Sequence, residues 1–269
     1  MTTTPIFTTT IDMLPVSVFG SNAEVGKAAA EDAAVFLQKT IRERGGANVI
    51  LATGNSQLTF LEALRAAPGM DWSKINIFHM DEYINLEPGH PASFPAFLHR
   101  HFLDHLHPSA GAFFPMPGEQ LEAGVRPEAI NGCQKYESLL RAYPADLCAL
   151  GIGENGHLAF NDPPYADFND PVWVKVVQLD EASRRQQTGE GHFPNLESVP
   201  THAITLTIPA LLAARKVLAI VPEARKAPAV QRSLQGPIEE NCPASILRQA
   251  AHAHLYLDRD SAGLAFPGL

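Results

Sequence analysis

Cysteine is scarce in this chain: only Cys133, Cys148 and Cys242 occur among 269 residues, and no C-x-x-C pair is present. An odd, scattered set supplies neither a disulfide framework nor a zinc-ligand pattern, so a reducing, cytoplasmic compartment is expected. Basic charge is also in deficit, with 20 Lys and Arg against 29 Asp and Glu, a net charge of −9. Duplex nucleic acid is bound by a basic face that neutralises phosphates, so a nucleic-acid partner is excluded, although an acidic protein still binds a small anion locally. Sustained apolar runs are missing too. No stretch approaches the roughly 18 residues of a membrane helix, and the Thr-rich Met1–Thr10 start lacks the basic and apolar regions of a signal peptide. A membrane partner is therefore not expected.

What the chain does have is 45% apolar residues, punctuated by 22 prolines and 19 glycines. Short apolar runs fall at Val16–Phe19, Asn48–Ala52, Ile75–Phe78, Leu147–Ile152, Val172–Leu179, Val217–Val221 and His254–Leu257. Helical patterns separate them. Ser21 to Glu24 has capping-box spacing ahead of an i+4 row, Val25, Ala29, Ala33, Leu37 and Ile41, that Gly45-Gly46 ends. Further helices are expected near Phe60–Leu64, Phe94–Leu106, Glu128–Tyr143, Pro209–Ala214, Ala224–Leu234 and Ala244–Arg248. Strands alternating with helices require crossovers, which predicts an α/β fold with a doubly wound, mostly parallel sheet covered on both faces. No repeat and no dividing linker is present, so residues 1–269 read as one domain. The polar stretch 163–200 reads as a lid, irregular apart from its one strand.

In open parallel sheets ligands collect beyond the carboxyl ends of the strands, and three segments fall there. Thr53-Gly54-Asn55-Ser56 follows a strand and opens a helix, where backbone N–H groups and hydroxyls can cradle a phosphate; by itself it reads first as a plain strand-to-helix turn capped by Ser56 or Thr53. His79-Met80-Asp81-Glu82-Tyr83 puts adjacent acids at a strand end, where a carboxylate can take a proton from carbon; by itself it is a solvated acidic loop. Gly151 to Pro163 concentrates three glycines around Glu154, Asn155 and His157, followed by Asn161 and Asp162. Glycine permits close backbone approach, and histidine titrates near neutrality. His99, His101, His105 and His107 share one helical stretch, but no H-E-x-x-H accompanies them, so no metal site is assigned.

Together these segments resemble the glucosamine-6-phosphate deaminase (isomerase) family, related to the 6-phosphogluconolactonases, over about Val49 to Tyr256. The pieces that carry the resemblance are Ala52-Thr53-Gly54, M-D-E-Y around Asp81, Gly151 to Pro163, Ser183-Arg184 and Ala224 to Ala227. The lactonases typically carry D-E-R and D-G-H-T in these places, which this chain lacks. The resemblance implies a Rossmann-like fold and an aldose–ketose isomerisation with deamination, in which Asp81 is the general base and His157 carries the ring-opening proton. It further implies Thr53, Gly54, Asn55 and Ser56 as the phosphate loop, with Arg184 and Lys226 as its cations. Glu82 stands beside the base. The family places an aspartate where Asn155 stands and a glutamate where Asp162 stands, which leaves the orienting of His157 to Asp162. The partner is then a small-molecule sugar phosphate, and acid–base chemistry alone suffices, with neither metal nor organic cofactor. Two alternatives stay open: lactone hydrolysis, with His157 activating water, and a non-catalytic sugar-phosphate sensor. The family includes monomers and hexamers, so homo-oligomerisation is open as well.

Overall fold

The computed structural model describes residues 3–87, 89–118, 127–163 and 165–269. Its centre is an eight-stranded sheet. In chain order its strands are β1 (Phe7–Ile11), β2 (Leu14–Phe19), β3 (Ala47–Leu51), β4 (Ile75–His79), β6 (Ala112–Phe114), β7 (Leu147–Leu150), β10 (Lys216–Val221) and β11 (Ala253–Asp258). In space they run β1-β2-β11-β10-β7-β3-β4-β6. Only the β1–β2 pair is antiparallel; the other pairs are parallel.

Strand β7 shows why a parallel sheet forms here. Leu147 and Ala149 enter one apolar cluster, whereas Cys148 and Leu150 enter another. Successive side chains point to opposite faces, and all four are fully buried. A strand covered on both sides reads as an unbroken apolar run and needs helices above and below. The first of these, α1 (Asn22–Arg44), begins where Ser21 accepts the N–H of Glu24, while the Glu24 carboxylate accepts from Gly20 rather than from Ser21. It stops at Gly45, whose φ of 82° lies in the left-handed region. Val25, Ala29, Ala33 and Leu37 of the expected row are buried against α2 (Leu58–Arg65) and the sheet, with Ile41 partly covered. Each fully buried leucine or valine contributes about 1.5–3 kcal/mol.

Several elements differ from expectation. β1 is an added antiparallel edge, and β6 a three-residue strand too short to show a pattern. The helical stretch from Phe94 divides into α3 (Phe94–His101) and a 3-10 turn at Leu103–His105. That break removes the shared face of the histidine run: His99 binds Asp104, and His105 binds the Arg100 carbonyl. The helix expected over Glu128–Tyr143 is α4 (Pro127–Ala142), and that over Pro209–Ala214 is α6 (Ile208–Leu212). The stretch at Ala244–Arg248 is a 3-10 helix, Pro243–Gln249.

The largest difference concerns residues 163–200. They include β8 (Val174–Gln178), α5 (Glu181–Gly189) and a 3-10 turn at Leu196–Ser198, so the segment is more ordered than its polarity implies. β8 pairs antiparallel with β9 (His202–Leu206), and β9 with β5 (Asp81–Tyr83), as a second sheet. Asp81 is thereby part of a strand, opposite Thr205. The remaining helices are α7 (Ala227–Gln235) and α8 (Arg259–Ala262). Among the described residues no helix is long and apolar enough to cross a membrane, and the three cysteines are free and buried.

Candidate active site

The chain leaves β3 toward β4 on one side, and later leaves β7 toward β10 on the other. The ends of these four neighbouring strands therefore open into one crevice at the reversal of strand order. A solvent-open cavity of about 560 Å³ lies there. Thr53, Gly54, Ser56, Asp81, His157 and Lys226 all line it, so residues separated by up to 173 positions meet in one place.

Two of its walls are built alike. After β3 the chain turns through Gly54, at φ 96°, into a 3-10 turn, Asn55–Gln57, that runs on as α2. After β10 it turns through Glu223, at φ 88°, into the 3-10 turn Ala224–Lys226 and on into α7. A positive φ comes freely to glycine but costs about 1–3 kcal/mol at a glutamate. The Glu223 N–H donates to both carboxylate oxygens of Asp258, which holds the turn in place. Lys226 is thereby carried into the cavity wall, 3% exposed. Burial pulls its pKa down from the usual lysine value, and the charge of Glu190 opposes that shift. Among the described residues no carboxylate comes within ion-pair distance of its ammonium.

Asp81 is 8% exposed, and burial raises its carboxyl to about 8. His79, fully buried, fixes the local backbone. Its Nε2 accepts the Met116 N–H at 2.7 Å, which requires that Nδ1 donate to the Asp81 carbonyl at 2.9 Å. Burial lowers this imidazole to about 4, consistent with the neutral tautomer. Glu82, next in a strand, points the other way. Its carboxylate accepts the N–H groups of Tyr83 and Phe94, tying β5 to the start of α3, and it does not line the cavity.

His157 is held from both sides. An ideal Cβ at position 153 would lie 2.2–2.4 Å from its ring atoms, so the imidazole rests where only glycine leaves space. Its Nδ1 lies 3.0 Å from Asp162 Oδ1 and 3.0 Å from Ser183 Oγ. Asp162, fully buried, also accepts from Asn155 Nδ2, from the Ser183 hydroxyl and from the Asp180 N–H. Burial alone would raise its carboxyl, but the bond and charge of His157, with Asn155 and Ser183, bring it to about 2. The ionised carboxylate keeps the proton on Nδ1 and leaves Nε2 for chemistry. Asn155 supplies an amide donor to Asp162 and accepts the His157 N–H. It supports the carboxylate that orients the ring instead of being one.

Two expected ligands lie elsewhere. Arg184 does not line the cavity; its Nη2 donates to the carbonyls of Leu196 and Val199 at 2.7 and 2.9 Å. It faces away because α5 turns Ser183, Gln186, Gln187 and Glu190 inward at three- and four-residue spacing. Asn55 donates its amide to the Glu190 carbonyl at 3.4 Å and lies outside the cavity lining. The inward face of α5 and the neighbouring Arg225 escaped the sequence reading. A helical period in 181–190 was the available signal, hidden because that face is polar. Among the described residues no cluster of three His, Cys, Asp or Glu side chains has metal-holding geometry.

Comparison with known proteins adds the following. Residues 20–256 match the family described as glucosamine-6-phosphate isomerases/6-phosphogluconolactonase. A glucosamine-6-phosphate deaminase of Bacillus cereus strain B4264 is 33% identical over 235 residues, 87% of this chain and 84% of that protein. One from Bacillus thuringiensis strain Al Hakam is 32% identical over the same length and shares. A solved monomeric glucosamine-6-phosphate deaminase superposes with a TM-score of 0.80 at 28% identity, covering 93% of this chain and 99% of that one. A 6-phosphogluconolactonase from Shewanella baltica OS155 shares the fold, with a TM-score of 0.71 at 19% identity and 93% and 98% coverage.

Proposed function

Because the chain belongs to the family of glucosamine-6-phosphate isomerases and 6-phosphogluconolactonases, we propose that it is a glucosamine-6-phosphate deaminase, forming fructose 6-phosphate and ammonia. The observation that carries this reading is Lys226, a buried ammonium with no acidic partner in ion-pair range among the described residues, on the cavity wall shared with Asp81 and His157. A buried cation on a cavity calls for an anionic ligand. Charge-assisted bonds of this kind contribute about 1.5–3 kcal/mol each. The phosphate lies between Lys226 and the loop of Thr53, Gly54 and Ser56, and the sugar extends toward Asp81.

As the C1–O5 bond of the pyranose breaks, His157 Nε2 takes the proton of the O1 hydroxyl and delivers it to the ring oxygen, while Asp162 keeps Nδ1 protonated. Asp81 then takes the proton from C2 and returns it to C1. A carboxyl raised to about 8 suits that exchange, because it holds the proton between the two steps. Water hydrolyses the resulting ketimine, releasing ammonia. Three free, buried cysteines support a reducing, cytoplasmic setting.

The test is to supply the purified protein with glucosamine 6-phosphate and, separately, with 6-phosphogluconolactone. Ammonia and fructose 6-phosphate from the first are expected. Opening of the lactone with no ammonia from the amino sugar overturns the assignment.

A further inference from the structure

The phosphate end of the cavity already holds an anion belonging to the protein. Glu190 follows the last turn of α5, and its side chain is 5% exposed. Its Oε2 lies 3.7 Å from the position a Cβ would take on Gly54, so the carboxylate sits against the loop expected to cradle phosphate. Oε1 accepts from Gln186 at 2.8 Å and pairs with Arg225 at 2.9 Å; Oε2 faces His192 at 3.2 Å. Arg225 also contacts Glu154 and Glu223. Three carboxylates thus stand with two cations, Arg225 and Lys226, where a dianion has to enter.

We propose that Glu190 is the resident counter-anion of this site, and that the substrate's phosphate binds in exchange for it, Glu190 moving off Gly54 as the phosphate reaches Lys226. This rests on the phosphate reading of the cavity given above. The physical reason is electrostatic. A carboxylate and a phosphate side by side on one cavity wall repel one another, and like charges brought together at a binding site disfavour the complex. Without a ligand, Glu190 offsets the buried charge of Lys226 across the cavity; with a ligand, phosphate does so with twice the charge. Glu190 thereby determines charge selectivity: a neutral sugar has nothing to exchange for it, and a phosphorylated one does. Because Glu190 is anchored through Arg225 to the turn that carries Lys226, exchange also frees the C-terminal end of α5 from that turn.

The experiment titrates inorganic phosphate into the wild type, Glu190→Gln and Lys226→Met, with glucose, a neutral unphosphorylated sugar, as a second probe. Glutamine keeps an oxygen acceptor for Gln186 and Arg225 and turns an amide N–H to His192 Nε2, while removing the charge. Phosphate is expected to bind Glu190→Gln at least about tenfold tighter than the wild type, with glucose affinity unchanged. Phosphate that binds through Lys226 but no tighter in Glu190→Gln overturns the exchange and leaves the phosphate site standing. Weakened glucose binding in Glu190→Gln also overturns it, by making Glu190 a sugar ligand. Phosphate affinity indifferent to Lys226→Met removes the phosphate reading, and the exchange with it. A structure of the wild type with inorganic phosphate makes the same test without a variant: Glu190 is expected off Gly54, and Glu190 in place beside bound phosphate overturns the proposal.

Discussion

Asp81 and Glu82 show how two adjacent carboxylates come to different ends. In a strand they face opposite ways, so one lines the cavity and the other binds the backbone N–H groups of Tyr83 and Phe94. Replacing Asp81 with Asn should lower kcat by about 10²- to 10⁴-fold and abolish exchange of the C2 proton with solvent, with phosphate affinity largely retained; unimpaired exchange removes Asp81 from the chemistry. Burial also makes its pH dependence distinctive. With the carboxyl raised to about 8, kcat/KM of the wild type should climb with pH along a limb near 8; a limb near 4 refutes the assignment. A raised carboxyl supports the fold below its ordinary value and loses that support as pH rises through about 8. Asp81→Asn should therefore be more stable than the wild type at pH 9, by about 1–3 kcal/mol, with the difference vanishing near pH 4 in denaturant titrations.

The loop Gly151–Pro163 and helix α5 work as one element, joined through Asp162, Ser183 and His157. Gly153 is where this element is least tolerant, because its missing side chain is the floor beneath the imidazole. Gly153→Ala should displace the ring and cut kcat by at least about tenfold, at a stability cost of about 1–3 kcal/mol from overpacking. Wild-type turnover in that variant would mean that the ring has another productive position. Asn155 invites the opposite experiment. An aspartate there would set a second carboxylate 2.9 Å from Asp162 Oδ1. Asn155→Asp should raise the acid pKa of that pair and lose stability as pH rises above it, so that its fall between thermal melts at pH 5 and pH 8 exceeds the fall the wild type shows through Asp81.

At the scale of the whole molecule, acid stability reflects the carboxylates that the fold places among cations and donors. Asp162 and Glu190 are each brought to about 2. For Glu190, burial would raise the carboxyl, but His192, Arg225, Lys226 and Gln186 outweigh it. Such groups contribute stability that is present above about pH 4 and is lost as pH falls toward 2, about 2 kcal/mol for a shift of this size. Unfolding followed by circular dichroism from pH 5 to pH 2 should show that loss, reduced in Glu190→Gln. An acid transition unaffected by the substitution would count against the burial and pairing described.

The parallel sheet was legible from residue types alone, because strands buried on both faces must be apolar throughout, as in Leu147 to Leu150. The three site segments were legible for a related reason: glycines, acids and histidine beyond strand ends have no part in packing a core. The second sheet was less visible. β5 is three residues long, and β9 pairs with strands that lie far from it in sequence. Fold class, and the loops that line the cavity, were legible in the residues themselves, since hydrophobic periodicity and turn chemistry are local. Tertiary packing alone set which of two neighbouring side chains reaches the cavity. It turned Glu82 and Arg184 to the backbone, gave the orienting of His157 to Asp162 with Asn155 and Ser183, and brought Glu190 against Gly54 of the loop after β3. Those outcomes depend on the facing of strands and helices, which pairing between distant segments sets.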